Sequence, residues 1–326
     1  MRYWVQLATE QFPPSALVKQ ARAAERAGFD GINVSDHFQP WWEPGESGHA
    51  WTLLGAIGAA TESPALGTGV TAPVFRHNPA TVAQFIATIE EMCPGRAFLG
   101  IGSGEALNES PCGMDWPSVD EQIARMEEAL EIIGALLDGE RLDHDGRFFR
   151  TKAAYLHTRG ERRPPVYVSA FGPQAADVAG RLGDGVWTMG DPEMANPVIE
   201  AYRAACDDAG KEPGEIILQG GFSWAEDDDA ALEGARVWKS TQVDDYFTDD
   251  WHDPKAMYER AEREVSDDDF KGSYIVSSDP ERHVERIREI EALGATVVCL
   301  QNGSGSAPER ALEVYRESVL PALRAG

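Results

Sequence analysis

The chain of 326 residues carries 55 acidic side chains against 29 basic ones, a formal net charge of -26, and its 42% apolar content suffices for one large core. Only six of the basic residues are lysines (Lys19, Lys152, Lys211, Lys239, Lys255 and Lys271), so no basic stripe can offset phosphate repulsion and nucleic acid is excluded as a partner. There is no charged-then-apolar leader and no apolar run of about 18 residues, which predicts a cytoplasmic protein with no membrane association.

The acidity is spread along the chain apart from short runs at 226–229 and 267–269. Spread acidity with few lysines suits a halophilic protein, because at about 1 M salt the Debye length falls to roughly 3 Å and self-repulsion is screened. Cys93, Cys112, Cys206 and Cys299 have no paired metal-ligand spacing and read as reduced thiols, so no metal site is expected.

In chain order the pattern alternates strand and helix. A strand at 3–9 leads to a helix at 15–27, opened by Pro13 and Pro14. A second strand at 31–35 is followed by a Gly/Pro/Trp-rich excursion and a helix at 51–62. A third strand at 66–71 precedes a helix at 79–92. A fourth at 97–102 precedes a long helix at 119–137, with apolar spacing at Ile123, Met126, Leu130, Ile133 and Leu137. Strands at 166–170, 186–188, 216–219 and 296–300 complete eight, with helices at 173–182, 197–209 and 280–293. Repeated right-handed βα units make a parallel sheet, and eight of them predict a closed (β/α)8 TIM barrel spanning 1–326 as a single domain. Two segments break the rhythm: a hairpin excursion at 141–157 and a long acidic, aromatic insertion at 225–273.

Polar groups at the carboxyl ends of strands point into the mouth of an α/β fold. The second strand ends in Ser35-Asp36-His37-Phe38-Gln39-Pro40-Trp41, which releases an acid, an imidazole and an indole together. Alone, Asp36 reads as a helix cap and His37 as a satisfied loop histidine. The fourth strand then ends in Gly100-Ile101-Gly102-Ser103-Gly104-Glu105-Ala106-Leu107-Asn108-Glu109. As a dinucleotide fingerprint this fails on spacing and lacks a following ribose acid. Glycines at a barrel rim instead let a flat ring approach the backbone, with Ser103, Glu105 and Asn108 as polar contacts.

These two motifs, with Phe75-Arg76-His77-Asn78-Pro79-Ala80 and Ile275-Val276-Ser277-Ser278-Asp279-Pro280, make the chain resemble the deazaflavin (coenzyme F420)-dependent branch of the luciferase-like oxidoreductases, and within it the F420-dependent glucose-6-phosphate dehydrogenase group. The resemblance implies a luciferase-like barrel, coenzyme F420 across the carboxyl-end mouth, a small-molecule sugar or alcohol as substrate, and a homodimer. It implies that Asp36, Thr71, Ser103, Gly104, Glu105 and Asn108 line the cofactor. Phe171, Gly172 and Gln174 would lie at the cofactor's phosphate side, where a helix N-terminus offers free N–H groups. It further implies a cis peptide between Gly69 and Val70, propping one face of the ring.

Oxidising a carbinol releases a hydride and a proton, so the site needs a proton acceptor near the hydroxyl, and imidazole is suited to that. His37, Glu105 and Glu10 are the candidates, and the sequence leaves open which performs each proton step. Trp41 would stack on the substrate and exclude water. Where the sugar-phosphate enzymes hold phosphate with two lysines and an arginine, this chain aligns Pro192, Thr248 and Ser273, with Lys255 or Lys271 as substitutes if the alignment slips. Phe171 also replaces a usual glycine. An unphosphorylated sugar or another alcohol is therefore expected. His49 reads as a surface-loop residue, His77 as capping or packing, and Trp238, Tyr246, Phe247, Trp251 and His252 as packing of the insertion, with one or two shaping a lid. Two alternatives share parts of this pattern: an FMN-dependent luciferase-like monooxygenase, against which the Asp36, His37 and Glu105 set argues, and a non-catalytic deazaflavin-binding protein.

Overall fold

A computed structural model describes residues 1–325. Eleven strands occur: β1 (Arg2–Leu7), β2 (Gly31–Val34), β3 (Ala65–Thr68), β4 (Ala97–Ile101), β5 (Leu142–Asp145), β6 (Arg150–Ala154), β7 (Val166–Ser169), β8 (Gly185–Met189), β9 (Glu215–Ser223), β10 (Tyr274–Val276) and β11 (Val297–Asn302). Eight of them pair in parallel in the order β9-β11-β1-β2-β3-β4-β7-β8, and β8 pairs back with β9, so the barrel closes. This is the (β/α)8 TIM barrel expected from the alternation. β5 and β6 form the antiparallel hairpin expected at 141–157.

The α-helices among the described residues are α1 (Pro14–Ala27), α2 (Ala50–Ala60), α3 (Pro79–Met92), α4 (Ala106–Glu109), α5 (Val119–Leu137), α6 (Pro173–Leu182), α7 (Pro192–Asp208), α8 (Asp228–Ala235), α9 (Pro254–Glu264), α10 (Asp267–Ser273), α11 (Pro280–Ala292), α12 (Pro308–Val314) and α13 (Leu320–Arg324). Proline at the first helical position recurs because its missing N–H has no partner there in any case. One start differs from expectation. α7 begins at Pro192 and runs through Pro197, because the Asp191 side chain caps it by accepting from Glu193 N and Met194 N.

The amino-terminal half of the barrel is plugged by Trp4, Phe98, Tyr167 and Trp187 with Ile217, Val297 and Cys299. Trp4 stacks on Phe98 with ring centroids 4.3 Å apart.

The region at 225–273 is helical, comprising α8, two 3₁₀ segments at Arg236–Gln242 and Asp244–Phe247, α9 and α10. It leads into β10, a short strand absent from the sequence reading, which pairs with the far end of β9 beyond the point where β8 stops. Ion pairs tie the insertion together: Lys239 Nζ lies 2.6 Å from Asp267, and Arg260 holds Asp245 at 2.9 Å and Glu264 at 2.9 Å.

Candidate active site

The side chains that meet at the mouth come from three strand ends, those of β1, β2 and β4. Glu10 follows β1, His37 follows β2, and Glu105 opens α4 after β4. His37 Nε2 lies 3.5 Å from Glu10 Oε1 and 3.6 Å from Glu105 Oε2, so one imidazole faces two carboxyl groups. On its other side, His37 Nδ1 lies 3.2 Å from the Gln39 carbonyl oxygen and 3.3 Å from Asn108 Nδ2. A proton on Nδ1 donated to that carbonyl leaves a lone pair on Nε2.

Asn108 is the brace of this group. Its Oδ1 accepts from Phe38 N at 2.8 Å and Gln39 N at 3.4 Å, which sets the amide orientation, and its Nδ2 donates to Glu105 Oε2 at 3.1 Å. Burial pushes the Glu105 carboxyl above its usual value. His37 and Arg76 oppose that rise, and the charges of Glu10 and Glu109 add to it.

Asp36 turns the other way, into a buried ion cluster. Its carboxylate accepts from Thr71 Oγ1 at 2.8 Å and from Arg76 Nη1 at 3.3 Å, and it lies 3.2 Å from His77 Nε2. Burial opposes its charge, but His77, Arg76 and Thr71 more than offset this and hold the carboxyl well below the usual carboxylate range. Arg76 also donates from Nη2 to the Asp36 carbonyl at 2.8 Å and from its backbone to Glu109 Oε2 at 2.7 Å. His77, read from sequence as a cap or packing residue, is buried with its ring against the Asp36 carboxylate; the cap of α3 is Asn78, which accepts from Ala80 N at 3.0 Å. His49 is structural, capping α2.

An aromatic line crosses the mouth. The Trp41 ring is buried, with its centroid 5.6 Å from His37 and 5.2 Å from Phe247, and Phe247 meets Phe171 edge-on at 5.5 Å. Phe247 therefore belongs to the site rather than to the interior of the insertion. Its segment is pinned to the rim: Trp116 Nε1 donates to Thr248 O at 3.3 Å, Ser110 Oγ to Asp250 at 2.8 Å, and Gln39 Nε2 to His252 O at 3.0 Å. Trp238 and Tyr246 are buried packing residues, as expected.

The glycine-rich end of β4 has a role that differs from the sequence reading. A Cβ on Gly100 would lie 3.0 Å from Val70 Cγ1, and one on Gly102 would lie 2.7 Å from Val70 Cγ2. At Gly100 a Cβ would first strike the Thr68 carbonyl oxygen, so that glycine admits the neighbouring backbone as well as Val70, while Gly102 makes room for Val70 itself. The bond between Gly69 and Val70 is cis, as the resemblance implies. Ser103 and Gly104 are partly exposed beside it. Gly172 caps α6, and a Cβ there would meet nothing within 4 Å, so the helix N-terminus faces open space. Gln174 donates to Asp120 at 3.2 Å, while Phe171 is 47% exposed at the rim.

The positions aligned with phosphate-holding cations bring none. Pro192 opens α7, Ser273 Oγ donates to Gln242 Oε1 at 2.7 Å, and Thr248 is an exposed hydroxyl 3.2 Å from Asp249. Lys255 and Lys271 are exposed on α9 and α10.

The chain matches the luciferase-like monooxygenase family over residues 1–297. It is similar to an F420-dependent glucose-6-phosphate dehydrogenase of Microbacterium testaceum, 37% identical over 99% of this chain and 98% of the relative. A protein of the same name from Mycolicibacterium smegmatis is 38% identical over 97% of this chain and 96% of its own length. Among solved structures, an F420-dependent secondary alcohol dehydrogenase in complex with an F420-acetone adduct superposes with a TM-score of 0.95 at 32% identity, covering 99% of each chain.

Proposed function

The chain belongs to the luciferase-like family, and on that premise we propose that it works as an F420-dependent dehydrogenase whose proton chemistry is carried by His37, Glu10 and Glu105. It is an oxidoreductase acting on the CH–OH group of a sugar or other alcohol with coenzyme F420. The observation that carries the residue assignment is the convergence of two carboxyl groups on one imidazole nitrogen, within 3.6 Å, beside the shelf made by Val70.

The residues at the mouth fit the deazaflavin. The cis-bonded Gly69 and Val70 and the small, partly exposed Ser103 and Gly104 would admit a flat ring, and the open N-terminus of α6 at Gly172 suits an anionic tail. Phe171 and Gln174 flank that terminus, and on the opposite side Thr71 donates to Asp36 and Asn108 to Glu105. When bound, the deazaflavin supplies the hydride acceptor. His37 takes the carbinol proton at Nε2 while Nδ1 donates to the Gln39 carbonyl. Glu10 faces the resulting imidazolium. Burial favours the neutral form of Glu105, and Asn108 keeps that group beside His37. Trp41 and Phe247 wall the substrate against water.

The substrate in this reading is unphosphorylated. The support is the absence of cations at Pro192, Thr248 and Ser273, together with the apolar line Trp41, Phe247 and Phe171 across the same end. The setting proposed is the cytoplasm of a salt-accumulating organism, in keeping with the net charge of -26. Among the described residues no helix is long and apolar enough to cross a membrane. The assembly proposed is the homodimer that the resemblance implies.

The test is a fluorescence titration of the purified protein with oxidised coenzyme F420 and, separately, with FMN. Saturable quenching by F420, followed by bleaching of its absorbance on adding a secondary alcohol, is the expected result. Quenching by FMN alone overturns the cofactor, and tight F420 binding with no turnover of any alcohol overturns the enzyme.

A further inference from the structure

Behind the catalytic group lies a pair of buried hydroxyls to which the mechanism assigns no task. Ser35 Oγ lies 2.6 Å from Glu10 Oε2 and 2.8 Å from Thr9 Oγ1, and Thr9 Oγ1 lies 3.2 Å from the same Glu10 oxygen. Thr9, Glu10 and Ser35 are all buried. A carboxylate only accepts, so the single hydroxyl proton of Ser35 goes to Glu10. Thr9 Oγ1 lies within reach of Ser35 Oγ, of the Ser35 carbonyl oxygen at 3.1 Å and of Glu10 Oε2, so its one proton backs the Ser35–Glu10 pair from behind. The Ser35–Glu10 distance is that of a hydroxyl donating to a carboxylate anion, about 2.5–2.7 Å.

Both hydroxyls address one carboxyl oxygen, Oε2. The other, Oε1, is the one that faces His37 Nε2. Glu105 is arranged differently, since the oxygen that faces His37 is also the one held by Asn108. The charged and titratable groups around Glu10 are His37, Glu105 beyond the imidazole, and the buried phenol of Tyr274 from β10.

We propose that Ser35, backed by Thr9, is a positioning residue that turns Glu10 so that its free oxygen faces the imidazole of His37 when that ring becomes charged. This rests on the reading of His37 as the base. Losing the Ser35 hydroxyl frees the Glu10 carboxyl to rotate and leaves its charge without a short donor in a buried place.

The experiment uses the full chain. In the cofactor-free protein labelled at histidine Cε1, the His37 resonance, assigned by its loss in His37→Asn, is expected to move in Ser35→Ala in the same direction as in Glu10→Gln. With F420 bound, Ser35→Ala is expected to lower kcat by about 10-fold with little change in KM or in F420 affinity. Ser35→Thr, which restores the hydroxyl, is expected to recover most of that loss. Because Ser35 acts through Glu10, the Ser35→Ala/Glu10→Gln double variant should be no slower than Glu10→Gln. Additive losses, or an unmoved His37 resonance, overturn the proposal. If His37→Asn is also fully active, the reading of His37 as the base fails first; if only Ser35→Ala is silent, that reading stands and this one does not.

Discussion

Glu10, His37 and Glu105 each stand three or four residues past a strand end, whereas Phe247 reaches the same mouth from the middle of an insertion of some fifty residues. The first side is held by buried or half-buried contacts that run between adjacent strand ends, as in Ser35 to Glu10 and Asp36 to Arg76 and His77, or within one segment, as in Asn108 to Glu105. The second is pinned by bonds at or near the surface, from Gln39, Ser110 and Trp116 to residues 248–252, and by ion pairs such as Arg260 with Asp245. Proton chemistry demands sub-ångström placement, and in the proposed reading it sits on the barrel. Substrate selection tolerates a docked segment, which can change without disturbing the barrel.

If the two sides divide the labour in this way, the largest effect comes from the strand-end side. His37→Asn is expected to lower kcat/KM by about 10²–10⁴-fold while F420 still quenches with near-normal affinity, because it removes the base and leaves the shelf at Val70 untouched. A loss of F420 binding of the same size would show that the two sides are not separable.

A smaller effect sharpens the electrostatics. Burial raises the Glu105 carboxyl above its unfolded value of 4.5. The native state therefore holds that proton where the unfolded chain has released it. The stabilisation is complete below that value and is lost as pH rises through the raised native one. Glu105→Gln is expected to remove this dependence, so that on going from about pH 5 to about pH 8 the Tm of the wild type falls more steeply than that of the variant. Equal slopes would show Glu105 to be ionised in the native state like any surface acid.

Much of the first side was legible in the sequence and much of the second was not. The eight barrel strands follow from β-branched and apolar runs, and α3, α5 and α6 begin and end where proline, apolar spacing and turn residues set them. The site candidates near strand ends were legible because a strand fixes where its last side chains point. β10 was missed because a strand of three residues carries no measurable period. The start of α7 was missed because two prolines competed for the first turn, and only the Asp191 cap decides between them. The role of Gly100 and Gly102 in admitting Val70 depends on a neighbouring strand, and the meeting of Phe247 with Trp41 depends on how far an insertion folds back. Neither leaves a local trace.

The account's central claim is that the strand ends oxidise a carbinol while the insertion offers an apolar end with no cation for phosphate. Steady-state kcat/KM for small secondary alcohols and for glucose 6-phosphate, measured with F420 in the wild type and in Phe247→Ala, tests it most directly. The wild type is expected to favour the alcohols by at least about 100-fold, and Phe247→Ala to shift that preference toward bulkier alcohols without gaining the sugar phosphate. Glucose 6-phosphate as the best substrate of the wild type would contradict the account.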